Sequence, residues 1–480
     1  MGKNNEKFLF EKIFRENQNK IAIETVDQKI SFNDLKLKVF SLIEYFKSNG
    51  LKKKQVVAVL LPNSVEFIYC YLACMIGGFI ICPINKDSNK LEIKKVLSSV
   101  NAKLVINKKE QLKFYKTKKN YFKEFNPKRI MGIFLSSGTT GTPKGICHDS
   151  QNIISNAISF NKNNKIFSES RIYHLFPMSY MAGFLNSIIS PLVSGGTIIF
   201  HSNFSINFAI NFRKFINRYN INYLWLNPTM IKSINKFESS KKKLSKKLKL
   251  FVATSALQLE DKIEFKKNYK VNCLESYGMT EILIFSSERY NIKKKIYSNV
   301  GKLINGCKVL NSKRTQELFV KSNFINTHYF DLTKKRFTKN NYIDKFDTGD
   351  LGYLSKKKEL FLAGRSKNLI IKGGLNISPE KLEKRLINFK NVSESIFIGI
   401  KDKFYGENIC LILKTKKGKK LNIKNLENYL NKYYSKHETP KKIIQIDKFI
   451  KNKNDKIERK NILNKINSNG NIKKLYEKNY

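Results

Sequence analysis

Short β-branched runs alternate with longer amphipathic stretches over the first hundred residues, and this alternation restricts the fold more than any other feature of the chain. Residues 21–24 read as a strand, 31–49 as a helix opened by Ser-Phe-Asn-Asp, and 55–61 as a buried strand. Residues 67–84 then run for eighteen positions without a charge. That length touches the lower limit for a membrane span, but Gly77-Gly78 breaks the run in its middle and Pro83 sits near its end. The reading is therefore a helix of about ten residues and a short strand, 79–82, both buried in an α/β core. A helix over 90–100 and a strand over 103–106 continue the pattern. Repeated βα alternation predicts a largely parallel sheet with helices on both faces.

A polar, lysine-rich connector covers 107–128, and a helix is expected over 150–161. Alternation resumes with strands at 197–201, 223–226, 250–253 and 271–275. Residues 300–362 are rich in short strands and turns. Beyond Arg365 a small unit has strands at 396–400, 410–414 and 442–447 and a helix at 423–435. The last fifteen residues are polar and expected to fray. At 480 residues, with 41% hydrophobic and 12% aromatic side chains, the chain can bury a large core spread over two or three domains.

The formal charge of +53 invites a nucleic-acid reading. The lysines, however, lie in scattered clusters such as 241–249 and 293–295, without the basic motif of a nucleic-acid module. Abundant Lys, Asn and Ile beside one Trp and nine Pro match AT-rich codon usage. No specific nucleic-acid partner is expected. A basic nucleic-acid-binding protein is the alternative of another class, and it predicts steeply salt-dependent affinity. Seven cysteines, mostly inside apolar runs and without metal-ligand spacing, read as reduced core residues. Residues 1–16 lack a signal-peptide apolar block, and the expectation is a cytoplasmic protein without a membrane span.

The chemistry concentrates in Leu135-Ser136-Ser137-Gly138-Thr139-Thr140-Gly141-Thr142-Pro143-Lys144-Gly145, which follows the strand-like run 130–135. Glycines let backbone N–H groups face an anion, hydroxyls add donors, and Lys144 adds a point charge. This is a polyphosphate loop. It is not the P-loop of ordinary ATPases, which has Gly before its Lys and Ser or Thr after it. The segment resembles the phosphate loop of the adenylate-forming superfamily, which comprises acyl-CoA synthetases, carrier-protein-loading adenylation domains and luciferases. Four further segments match that family in order and spacing, and the resemblance covers nearly the whole chain.

The resemblance implies an α/β fold. It has a large N-terminal AMP-binding domain, 1–364, of parallel-type sheets with a β-rich subdomain, and a small mobile α+β lid, 365–480. It assigns Thr139, Thr140 and Lys144 to the β- and γ-phosphates of ATP. In Glu275-Ser276-Tyr277-Gly278-Met279-Thr280-Glu281, Tyr277 would stack on adenine, Thr280 would bond a phosphate and Glu281 would help hold Mg2+. An aromatic face suits a purine, and a hard cation prefers carboxylate oxygen. Ser255 and Ala256 would form the opposite wall of the adenine slot. Asp350 matches the carboxylate that takes both ribose hydroxyls, and Arg365 would reach ribose or phosphate. Lys367 occupies the hinge, and Gly374 lies in the loop that lines the thiol tunnel. Around it, Ser378 reads as an N-cap with Pro379 at the first helical position. Lys456 aligns with the catalytic lysine that bridges the acid and the α-phosphate. Asn454-Asp455 stand where the family has Ser-Gly, and Ile450 stands in place of its Pro. An adenylation-like protein with a dead site would show the same motifs but no exchange of pyrophosphate.

Phe176-Pro177-Met178-Ser179-Tyr180-Met181-Ala182-Gly183 resembles the start of the family's acid pocket, with Tyr180 where many acyl-CoA synthetases carry His. Trp225 is expected in another wall. Residues 177–191 contain no acidic side chain to pair with a substrate ammonium, which points to a fatty or other organic acid without an amine. The expected activity is ATP-dependent formation of an acyl-adenylate with Mg2+, followed by transfer to CoA. Loading of a pantetheinylated carrier protein is the alternative.

Overall fold

A computed structural model describes the chain apart from residues 1–4, 89, 137–143, 241, 256, 291–298, 311–316, 373–374, 403–404, 417, 436, 452–456, 460, 463–472 and 478–480. It divides into two compact units. The first takes residues 1–308, 321–346 and 356–360; the second takes 309–320, 347–355 and 361–480.

Two large sheets organise the first unit. A seven-stranded sheet runs Arg336–Lys339, His328–Asp331, Lys144–Asp149, Ile130–Ser136, Ile80–Pro83, Val56–Val59, Leu104–Ile106. The last four strands pair parallel, as βα alternation requires. A nine-stranded sheet runs Lys302–Leu303, Leu283–Ser287, Cys273–Met279, Lys249–Val252, Tyr223–Leu226, Arg171–Tyr173, Thr197–Ile199, Ile21–Glu24, Lys29–Ser31. Six neighbouring strands in it, from Cys273–Met279 to Ile21–Glu24, are parallel.

The uncharged block behaves as a core element. Val65–Gly77 is a helix capped by Ser64 and closed by Gly78 in the left-handed region at φ +79°, and Ile80–Pro83 is a fully buried strand. Among the described residues no helix is long and apolar enough to cross a membrane. All seven cysteines are buried thiols. The polar connector conceals an anchor: the turn Tyr121–Glu124 buries Phe122 against Phe10, Phe14 and Phe40.

In the second unit, Val392–Asp402, Gly406–Thr415 and Lys442–Gln445 form the centre of a six-stranded sheet. Its pleat sorts side chains with period two. Ile409, Leu411 and Leu413 pack with Leu382, Leu386, Leu426 and Leu430 of helices Pro379–Leu386 and Ile423–Tyr433. Cys410 and Ile412 face the opposite way, toward Phe449 and Ile462. The expected fraying of the last fifteen residues is corrected for Lys473–Glu477, which adds an edge strand to Lys442–Gln445. Its unpaired backbone groups find partners on that edge, whatever the polarity of the segment.

Candidate active site

The phosphate-loop segment connects two antiparallel strands. Ile130–Ser136 enters it and Lys144–Asp149 leaves it, with Ser136 paired to Lys144 and Leu135 to Gly145. The helix expected over 150–161 is present, and the structure adds a strand before it, with Lys144 exposed at the strand start. Helix Ser150–Asn164 follows, capped by the Asp149 carboxylate, which accepts from Asn152 N. Ser137, Gly138, Thr139, Thr140 and Gly141 lie outside the described residues, as do Ala256, Gly374 and Lys456.

That loop-exit strand is tied to the Tyr277 segment by a residue the sequence reading missed. His148 is fully buried, and its Nε2–H donates to the Thr280 carbonyl at 2.7 Å. Burial pushes the imidazole down to about 4, so it stays neutral, and its donor settles which nitrogen carries the proton. From the following helix, Asn156 grips Ile284 with Nδ2 on its carbonyl (2.8 Å) and Oδ1 on its N–H (3.2 Å). Asn152 Nδ2 donates to the Ile325 carbonyl at 2.7 Å. No motif announces these residues; only their hydrogen bonds to distant backbone do.

Tyr277 lies just past the point where Cys273–Met279 stops pairing with Lys249–Val252, whose last partners are Val252 and Glu275. Ser255 lies just past the end of that neighbouring strand and is exposed. The carboxyl ends of parallel strands are where open α/β sheets place ligands. Between them Thr254 adopts φ +78°, an unusual conformation for a β-branched side chain. Tyr277 itself is 9% exposed and packs edge-on to Phe285 at 6.3 Å. A bulge at Tyr277/Gly278 turns the strand against Leu283–Ser287, and Leu283 adopts φ +58°. Thr280 and Glu281 follow at the turn, partly exposed, and the Glu281 carbonyl accepts from Asn326 N at 2.8 Å.

The acid-pocket segment forms a helical run, 181–192, with a π turn at Leu185–Ile189. Gly183 permits close packing on the preceding turn, because a Cβ there would meet the Pro177 carbonyl at 2.1 Å. Tyr180 is partly exposed, and its hydroxyl accepts from Asn85 Nδ2 at 3.2 Å. Phe184 stacks on Tyr71 at 4.0 Å, while the Tyr71 hydroxyl donates to the Met178 carbonyl. Trp225 is 1% exposed, packed with Phe160 and Phe251, and its Nε1–H donates to the Tyr223 hydroxyl at 2.6 Å. The structure thus places Trp225 in the core beneath the strand ends.

In the second unit Asp350 is 6% exposed and bonds Arg365 Nε through Oδ1 at 2.8 Å. Gly349, at φ +66°, turns the chain there, with its N–H on Asp347 Oδ1. Arg365 Nη1 also donates to the Thr348 carbonyl. Lys367 falls in the short turn Ser366–Asn368. Ser378 occupies the N-cap position before Pro379, but its hydroxyl donates instead to the Ala363 carbonyl at 2.8 Å. Three residues after Lys456, Arg459 bonds Glu383 at 2.8 Å and the Phe397 carbonyl at 2.7 Å. Burial pushes the Glu383 carboxyl up to about 7 against the pull of that guanidinium.

A profile of the AMP-binding enzyme family matches residues 10–318. The chain belongs to that family. A sulfoacetate–CoA ligase of Cupriavidus necator is 23% identical, covering 91% of this chain and 92% of its own length. A putative long chain fatty acid–CoA ligase of Staphylococcus epidermidis is 26% identical, covering 93% and 95%. The fold matches an o-succinylbenzoate–CoA synthetase from Bacillus subtilis, in complex with ATP and magnesium ion, at a TM-score of 0.80 and 21% identity over 94% of this chain and 98% of that one.

Proposed function

We propose that the chain is an AMP-forming acid–thiol ligase of the acyl-CoA synthetase type, acting on an organic acid without an amine. The observation that carries this reading is the His148–Thr280 bond, which ties the strand leaving the phosphate loop to the turn bearing Thr280 and Glu281. A carboxylate oxygen of the acid attacks the α-phosphorus of ATP, the bond to the bridging oxygen breaks, and pyrophosphate leaves. CoA sulfur then attacks the acyl carbonyl, AMP departs, and the thiol proton passes to solvent.

Thr139, Thr140 and Lys144 hold the departing phosphates, with Ser136, Ser137, Gly138 and Gly141 shaping their loop. Tyr277 lies against adenine opposite Ser255 and Ala256. Asp350 takes the ribose hydroxyls beside Arg365. Lys456 offers its ammonium to the oxygens on which charge is redistributed. Residues 365–480 act as the mobile lid, hinged at Lys367, with Gly374 beside the thiol path. Tyr180 and Gly183 open the acid pocket, with Trp225 behind its wall.

A single protein carboxylate fits Mg2+, which keeps waters and substrate phosphate oxygens as its other ligands. Glu281, partly exposed at the turn after Met279, supplies one. Mg2+ would neutralise phosphate charge there. Buried thiols suit the reducing cytoplasm. A fatty acid is favoured by the apolar Met178, Met181, Phe184 and Leu185, all buried along the pocket segment.

The test is acid-dependent pyrophosphate exchange over a broad acid panel, with AMP release followed with and without CoA. Exchange with one acid and CoA-dependent turnover support the reading. No exchange with any acid refutes it, and turnover only with pantetheinylated carrier protein moves the acceptor to that alternative.

A further inference from the structure

Beneath the Tyr277 segment lies a buried charge cluster that the chemistry above does not use. Lys262, on helix Leu259–Tyr269, is 3% exposed, and Glu275 and Glu288 are 7% and 3% exposed. Lys262 Nζ donates to Glu275 Oε2 at 3.1 Å and also to Glu288 Oε2. Glu288 Oε2 accepts the Glu275 N–H at 2.9 Å, and Glu288 N donates back to the Glu275 carbonyl at 2.8 Å. The second oxygen of Glu275 accepts the Leu257 N–H at 3.3 Å.

Two carboxylates sharing one ammonium out of water are a costly way to fill a core, since apolar side chains of similar volume stabilise at least as well. What apolar side chains could not supply is directed bonding to two segments at once. Glu275 lies two residues before Tyr277, and Leu257 lies two residues after Ser255. One carboxylate therefore spans both segments, beside the Thr254 turn held at φ +78°. Burial pushes Glu275 up toward the neutral form, and Lys262 opposes that shift.

We infer that Lys262, Glu275 and Glu288 are positioning residues that set the spacing between Leu257 and the Tyr277 strand, and thereby the width of the adenine slot. The inference rests on the proposed ATP role of Tyr277. It assigns the triad to nucleotide affinity, with no contact to the acid.

The experiment uses the full chain and measures KM for ATP and for the acid separately in pyrophosphate exchange, with thermal melting alongside. Lys262→Met should raise the ATP KM about tenfold while the acid KM moves less than about twofold. Glu288→Gln keeps an acceptor for the Glu275 N–H and should raise the ATP KM about threefold. The double variant Lys262→Met/Glu288→Gln should recover part of the loss, because one buried negative charge goes with the lost positive one. An ATP KM unchanged in the folded variants, or ATP and acid KM rising in equal proportion, overturns the inference. If Lys262→Met does not fold, Glu288→Gln carries the same comparison. Tyr277→Ala separates the two levels: an unchanged ATP KM there overturns the adenine assignment itself. A raised one beside unaffected triad variants overturns only the triad.

Discussion

Replacing Gly278 by Ala puts a methyl group where the backbone of the neighbouring strand already lies. The new Cβ would sit 2.1 Å from the Leu283 carbonyl oxygen, 3.0 Å from its carbon and 3.1 Å from Ile284 Cα. Real Cβ contacts stay beyond 3.0 Å, so the oxygen must retreat by about 0.9 Å. Retreat is opposed on both sides: Asn156 holds the N–H and carbonyl of Ile284, and Leu283 is already left-handed at φ +58°. Overpacking of this kind costs about 1–3 kcal/mol, and opening one bond of the bulge about 1 kcal/mol more. Gly278→Ala should therefore lose about 3 kcal/mol in urea denaturation. Gly50→Ala is the control, with φ +74° and nothing within 4 Å, and should lose about 1–2 kcal/mol from backbone conformation alone. Because Tyr277 is the preceding residue, a displacement near 1 Å should also raise the ATP KM by about ten- to a hundredfold. Equal losses for the two variants would refute the clash argument. A full stability loss with an unchanged ATP KM would refute the dependence of Tyr277 on the bulge.

Lys456→Ala should abolish acyl-adenylate formation while thioester formation from supplied acyl-adenylate stays largely intact; equal loss of both steps would reject the assigned role. Tyr223→Phe removes the acceptor of the buried Trp225 Nε1–H and a partner of Ser190 Oγ, and should cost about 1–3 kcal/mol in denaturant midpoint analysis. Burial lowers His148 and His174 to about 4, whereas in the unfolded chain each takes up a proton near its ordinary value of about 6.5. Acid therefore favours the unfolded state: each histidine's contribution is complete above pH ~6.5 and lost toward pH ~4, by roughly 3 kcal/mol. His148→Asn should flatten the stability–pH curve over that window, and an unchanged slope would contradict the assignment.

Much of the scaffold was legible because it is written in local patterns. The strand 21–24, the helix opened by Ser31 and the buried block after residue 67 follow from periodicity and punctuation, and Ser31 indeed caps its helix by accepting from Asp34 N. The order of the motifs, from Lys144 through Tyr277 and Asp350 to the Arg459 segment, is likewise a property of the chain read linearly. Other features have no local signature. The strand Lys144–Asp149, between the loop and helix Ser150–Asn164, is not announced by the sequence. It is a strand because its Lys144–Asp149 backbone pairs with Ile130–Ser136 on one side and His328–Asp331 on the other. The surroundings of Trp225 are equally invisible in the sequence: two aromatic neighbours, Phe160 and Phe251, and a hydrogen bond to Tyr223 bury it.

The sequence by itself determined the α/β class, the family and the order of its motifs, since each depends on neighbours a few positions apart. Only the tertiary structure decided which distant groups hold those motifs in place. His148 reaches Thr280 across 132 positions, Asn156 reaches Ile284 across 128, and Lys262 joins Glu275 to Glu288. These bonds exist because buried polar groups must find partners wherever the packed sheets bring them, and no linear spacing records where that will be.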